Sequence, residues 1–145
     1  MIHNMEDIMI QRIELQYFST QDGRIYLLAI RALAKFHELA SRQNLTEIER
    51  DALIQRFEFT FELTWKCAKE YLYVQEGIDA ASPKKVIRSC REVGVLSDVE
   101  TEQALKMADD RNLTTHTYDE SFIESLLLRL PVYDTVLHNW LDRLG

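Results

Sequence analysis

The sequence predicts an all-α fold. Four glycines and two prolines are all that punctuate 145 residues, and long stretches carry no helix breaker. Leu, Ala, Glu, Arg and Ile dominate, a composition that favours helix. Helix-start chemistry also recurs. Thr46-Glu47-Ile48-Glu49 and Ser97-Asp98-Val99-Glu100 both have capping-box spacing, in which a hydroxyl and a carboxylate three residues on each satisfy the other's backbone N–H. The length suits one core, so 23–145 reads as a single helical-bundle domain preceded by an irregular or mobile arm over 1–22.

The elements follow in order. In the arm, Ile8, Met9, Ile10, Ile13, Leu15 and Phe18 are apolar but weakly patterned, enough for a helical turn at most. A first helix is expected over about Arg24–Ser41, with Ile25, Leu28, Ala32, Leu33, Phe36 and Leu39 as its apolar stripe. The short connection Arg42–Leu45 makes the next helix antiparallel to it. That helix starts at Thr46 and runs to about Gln75. Phe57, Phe61, Trp65, Ala68 and Leu72 fill one face, and Phe59, Leu63, Cys67 and Val74 a second. So wide an apolar surface asks for a second contact, either a dimer partner or a short extra helix. Gly77 ends this helix. Ser82-Pro83 opens a short one, a serine cap followed by proline at the first position, which stops at Gly94. A fourth runs from Ser97 to about Asp109. Asp119 caps the last, Glu120–Leu144, whose stripe is Phe122, Leu126, Leu127, Leu130, Tyr133, Leu137, Trp140 and Leu144. Pro131 lies inside it and predicts a kink near Leu127–Pro131.

Composition narrows the function classes. A net charge of −7 suits a general nucleic-acid binder poorly, so any RNA contact is expected to be local. The basic cluster is Lys84, Lys85, Arg88 and Arg91; Lys84, Arg88 and Arg91 share a helix face. It reads either as a solvated face or as an RNA or phosphate contact. No apolar run approaches a membrane span, and the N-terminus lacks the order of a signal peptide, so a cytoplasmic protein without membrane contact is expected. Cys67 and Cys90 lack CxxC or zinc spacing and read as buried free thiols.

The chemistry concentrates in Arg111-Asn112-Leu113-Thr114-Thr115-His116-Thr117-Tyr118-Asp119-Glu120. Arginine is a permanent cation with a donor fork suited to phosphate oxygens, and histidine exchanges protons near neutral pH. Asn112 adds an amide that can orient a phosphate or the imidazole. Five helical positions are about 500° of rotation, or about 140° off, so Arg111 and His116 share no face of a regular helix. They converge if the segment is partly non-helical or if two copies meet. Asp119 and Glu120, if close, would raise the imidazole pKa. Other readings stay open. Arg111 pairs with Asp109, Asp110 or Glu120; His116 is a connector; Tyr118 packs as a staple residue; or Asp109, Asp110, His116 and Asp119 hold a metal, for which one histidine is thin. Glu58 and Glu62, followed by Lys66, read as an exposed stripe or as a carboxylate pair supporting the site. His3, His37 and His138 read as structural or solvated. No metal or cofactor is expected, and no glycine-serine and paired-aspartate signature of a nucleotidyltransferase active site is present.

Three stretches together carry a resemblance: Gln55-Arg56-Phe57-Glu58-Phe59-Thr60-Phe61-Glu62-Leu63-Thr64-Trp65-Lys66, Ser82-Pro83-Lys84-Lys85-Val86-Ile87-Arg88, and Asp109 through Glu120. Over residues 24–145 the chain resembles the nucleotidyltransferase substrate-binding protein family of the HEPN superfamily. The resemblance implies an up-and-down four-helix bundle with a short additional helix, forming a homodimer. The implied partner is a minimal nucleotidyltransferase encoded nearby. HEPN proteins with an Arg-x4-6-His motif are often toxins that cut RNA without metal. In that scheme Arg111 holds the scissile phosphate, Asn112 assists and His116 moves protons. Tyr118 stands where related toxins accept AMP from the partner. The family name implies a different role, a non-catalytic subunit that binds substrate for the nucleotidyltransferase. A third is a structural dimerisation protein with a degenerate site.

Overall fold

The computed structural model describes residues 23–116 and 119–145, His116 by its backbone alone. Five helices follow one another: α1 (Arg24–Ala40), α2 (Glu47–Glu76), α3 (Pro83–Glu92), α4 (Asp98–His116) and α5 (Glu120–Leu144). No strand occurs among the described residues. The expectations for the arm at 1–22 lie outside the described residues.

Local chemistry explains where the helices start and stop. At α2 the Glu49 N–H donates to the Thr46 hydroxyl and the Thr46 N–H donates to the Glu49 carboxylate, closing the capping box. The same exchange joins Ser97 and Glu100 ahead of α4. Ser82 caps α3, with Pro83 at its first position. Asp119 caps α5, accepting from the N–H and the hydroxyl of Ser121. Gly77 ends α2 at φ 67°, in the left-handed region where a β-carbon is costly. The α5 helix continues through Pro131, whose missing N–H falls on the exposed side.

The long α2 touches all four other helices, and α5 closes the bundle against α1 and α4. Trp140, Phe36, Phe57 and Phe61 are among the largest fully buried side chains, each contributing on the order of 1.5–3 kcal/mol through burial. Phe57 stacks on Tyr133 with centroids 5.6 Å apart, and Phe36 meets Phe57 at 6.2 Å. The broad apolar surface of α2 is thus largely covered within one chain: Leu63 and Cys67 are buried, while Val74 remains exposed. Buried Thr60 and Thr64 send their hydroxyls to the carbonyls of Arg56 and Thr60, so neither leaves a polar group unmatched. Cys67 and Cys90 are buried free thiols. Burial pushes Cys67 up to about 12 and Cys90 up to about 11. No helix of the described residues is long and apolar enough to cross a membrane.

One boundary differs from expectation. The helix expected to stop near Asp109 continues to His116, so Arg111 and Asn112 lie on its last two turns rather than in a connector. No glycine or proline interrupts this stretch. The Thr114 and Thr115 hydroxyls return to the carbonyls of Arg111 and Asn112, at 2.7 and 2.9 Å. Residues that usually compete with helix here fold their side chains back onto it.

Candidate functional site

The final turns of α4 are held by an acid that the sequence does not single out as structural. Asp110 is 2% exposed. Arg129 of α5 grips it with Nε at 2.8 Å and Nη2 at 2.9 Å, and the Tyr133 hydroxyl donates to the same carboxylate. Arg129 also donates to Ser125. Burial, then the Asp110 contact, raises the Tyr133 pKa, and the hydrogen bond to Asp110 raises that of Arg129. Tyr133 in turn stacks on Phe57 of α2. Asp110 therefore ties α4 to α5 one residue before Arg111.

Arg111 faces the opposite problem, being partly open and loosely held. Its Nη2 lies 3.5 Å from the Glu62 carboxylate of α2, and both side chains are about one third exposed (29% and 31%). Glu62 also pairs with Lys66 at 3.3 Å. Arg111 Nε is buried with no hydrogen-bond partner. Glu58, one turn earlier on α2, accepts from the Thr114 hydroxyl. The two glutamates thus form a half-buried wall against α4, which corrects the reading of them as a merely exposed stripe. Glu58 and Glu62 are four apart on α2, and Thr114 and Arg111 three apart on α4; both spacings keep a pair on one helix face, so the two faces meet at two successive points.

On its other side, Arg111 lines a cleft of about 480 Å³ between α2, α3 and α4. Phe61, Glu62 and Trp65 come from α2, Ser82, Pro83 and Lys84 from the start of α3, and Ala108, Arg111 and Asn112 from α4. Lys84 is paired with Asp109 at 2.6 Å. Trp65 is 9% exposed and its indole N–H has no partner.

The expected site residues therefore separate. Arg111, Asn112, Lys84 and Glu62 come together around the cleft. Glu58 stands beside them. Arg91 sits at the far end of α3, paired with Asp98 at 2.6 Å, and Arg88 is exposed midway; neither lines the cleft. Asp119 is occupied as the cap of α5. The pairings imagined for Arg111 with Asp109, Asp110 or Glu120 give way to Glu62, because Asp109 goes to Lys84 and Asp110 to Arg129. That divergence also parts the two aspartates suggested as joint metal ligands, and no metal-ligand cluster occurs among the described residues. The His116 side chain and Tyr118 lie outside the described residues. Sequence reading missed Trp65 as a cleft wall and Asp110–Arg129–Tyr133 as an anchor. The available signal for the anchor was Arg129 interrupting the apolar stripe of α5 four residues before Tyr133.

The described residues thus form a helical bundle in which Arg111 and Asn112, near the end of α4, stand beside Lys84 from the start of α3. The family model described as "Nucleotidyltransferase substrate binding protein like" matches residues 21–145. The chain belongs to that family, within the HEPN superfamily. It is similar to a probable ribonuclease HepT of Haemophilus influenzae, with 35% identity over 71 residues, which are 46% of this chain and 47% of that protein. The match thus spans about half of that relative's length. It is also similar to a protein of Thermus thermophilus known from its crystal structure, at 50% identity and a TM-score of 0.77, covering 80% of this chain and 98% of that one.

Proposed function

We propose that this chain is the HEPN component of a two-protein nucleotidyltransferase system and a metal-independent RNA endonuclease. It acts as a cytoplasmic homodimer and is neutralised when its partner transfers AMP to Tyr118. Arg111 holds the scissile phosphate, assisted by Asn112. His116 accepts the proton of the 2′-hydroxyl as that oxygen attacks phosphorus. The bond from phosphorus to the 5′-oxygen breaks, the leaving oxygen takes up a proton, and a 2′,3′-cyclic phosphate remains. AMP on Tyr118 arises by attack of the phenolic oxygen on the α-phosphorus of ATP, with pyrophosphate leaving. The added negative charge then competes with RNA for Arg111.

The observation that carries this reading is the state of Arg111. Its helix is anchored one residue away by a buried carboxylate, yet its own guanidinium has a single distant acid and an unpartnered Nε. Such a cation is prepared for an oxyanion, because a phosphate offers the close acceptors that the distant Glu62 does not. Likeness to a protein named a probable ribonuclease supports the same choice. A non-catalytic substrate-binding subunit is the second reading, favoured by the net charge of −7.

Incubation of the purified protein with RNA in EDTA tests the proposal. Cleavage ending in a cyclic phosphate is expected, and His116→Ala is expected to abolish it while the thermal melt is retained. RNA left intact at high protein concentration would sink the nuclease reading; enhancement of the partner's activity on a third molecule would then support the subunit reading. Mass spectrometry after treatment with the partner and ATP should place AMP on Tyr118, and persistence of the adduct in Tyr118→Phe would move it elsewhere.

A further inference from the structure

We infer that the cleft between α2, α3 and α4 is a base pocket, which seats the nucleobase attached to the phosphate that Arg111 holds. The inference rests on the reading of Arg111 as the phosphate-holding group, but not on any cleavage step. Its volume of about 480 Å³ falls within the usual range for small-molecule sites, roughly 300–1,000 Å³. Three features of the walls select the ligand class. Phe61, Trp65 and Pro83 supply apolar lining, which an isolated phosphate would not need and a base would cover. The Trp65 indole N–H and Arg111 Nε are buried donors without acceptors; ring nitrogens and carbonyls of a base, or phosphate oxygens, supply them. The charged residues lining the cleft are Lys84 and Arg111 against Glu62, two cations to one carboxylate, which favours an anionic ligand.

An apolar floor with unmatched donors and a cationic rim describes a nucleotide better than a peptide or a lipid. The exposed amide of Asn112 carries both donors and an acceptor, so it can read a base edge as well as assist the phosphate. The pocket would then decide which nucleotide flanks the cut.

Calorimetry with the full chain tests this, comparing the four nucleoside 5′-monophosphates with ribose 5-phosphate and inorganic phosphate. The best nucleotide is expected to bind at least about tenfold more tightly than ribose 5-phosphate, the scale of one base against an apolar wall. The four should also differ among themselves. The chain has two tryptophans, and Trp140 is fully buried, so binding should change the emission of Trp65, and Trp65→Phe should remove that change. Asn112→Ala should narrow the preference among bases. Ribose 5-phosphate binding as tightly as every nucleotide, nucleotide binding that leaves Trp65 emission untouched, or no binding at millimolar nucleotide would each overturn the inference. Base-dependent binding by a protein that leaves RNA intact would keep the pocket and remove the nuclease. RNA cleavage without base-dependent binding would do the reverse.

Discussion

Replacing Asp110 with alanine removes the acceptor that joins α4 to α5. The buried carboxylate receives two guanidinium bonds and one phenol bond. Breaking a buried ion pair from one side costs about 3–5 kcal/mol, since a charge is left behind. Arg129 is 27% exposed, so water recovers part of that, leaving about 2–3 kcal/mol. The Tyr133 hydroxyl, in a residue 2% exposed, is left without its acceptor for about another 1 kcal/mol. The sum is about 3–4 kcal/mol. With an unfolding entropy of about 0.25 kcal/mol/K for roughly 120 ordered residues, the Tm should fall by about 12–16 °C. Circular dichroism melts of wild type and Asp110→Ala measure this directly. Tyr133→Phe, which keeps the ring on Phe57, should cost about 1 kcal/mol and show strong coupling to Asp110→Ala in a double-mutant cycle. A Tm drop below about 4 °C, or additive single effects, would refute the anchoring role of Asp110.

Two further outcomes concern titration and thiols. Glu100 is held down to about 2 by the Arg143 hydrogen bond, with the Ser97 N–H adding to it. A depressed carboxyl stabilises the fold above its unfolded pKa, so this contribution is present above about pH 4.5 and lost as pH falls toward 2. Discounted for the exposure of Arg143, it is about 1–2 kcal/mol; the stability gap between wild type and Glu100→Gln in urea melts should close over that window, and a gap constant from about pH 6 to about pH 2 would contradict this role for Glu100. Cys67 and Cys90, both pushed up by burial, should resist a thiol-specific chromophore at about pH 8 in the native protein and react as two thiols in denaturant; rapid native labelling would refute their burial.

Much of the architecture was readable because its determinants are local. Thr46/Glu49, Ser97/Glu100 and Ser82-Pro83 each declare a helix start within four residues, and Gly77 declares an end. The end of α4 was not readable, since Asp109, Asp110, Asn112, Thr114 and Thr115 favour caps and turns when alone. What keeps them helical is tertiary: Asp110 meets Arg129 across 19 residues and Thr114 meets Glu58 across 56. The site divides the same way. The chemistry of Arg111 and Asn112 is visible in the chain, whereas the cleft needs Trp65, Pro83 and Ala108 from three helices, and no spacing rule connects them. Glu62 shows how a charge stripe on one helix becomes a wall only when another helix arrives.

Asp110 and Arg111 are neighbours in sequence with opposite destinations, one drawn into the protein and the next turned toward the cleft. A one-residue slip of α4 turns it by about 100° and would carry Arg111 toward the place of Asp110, setting guanidinium against the guanidinium of Arg129. The misaligned helix would meet repulsion and lose its buried acceptor together. The acid thus serves as a proofreader of helix phase, and a conformer with the arginine misaimed is also one that folds poorly. Loss of aim and loss of stability are coupled in this chain by a single peptide bond.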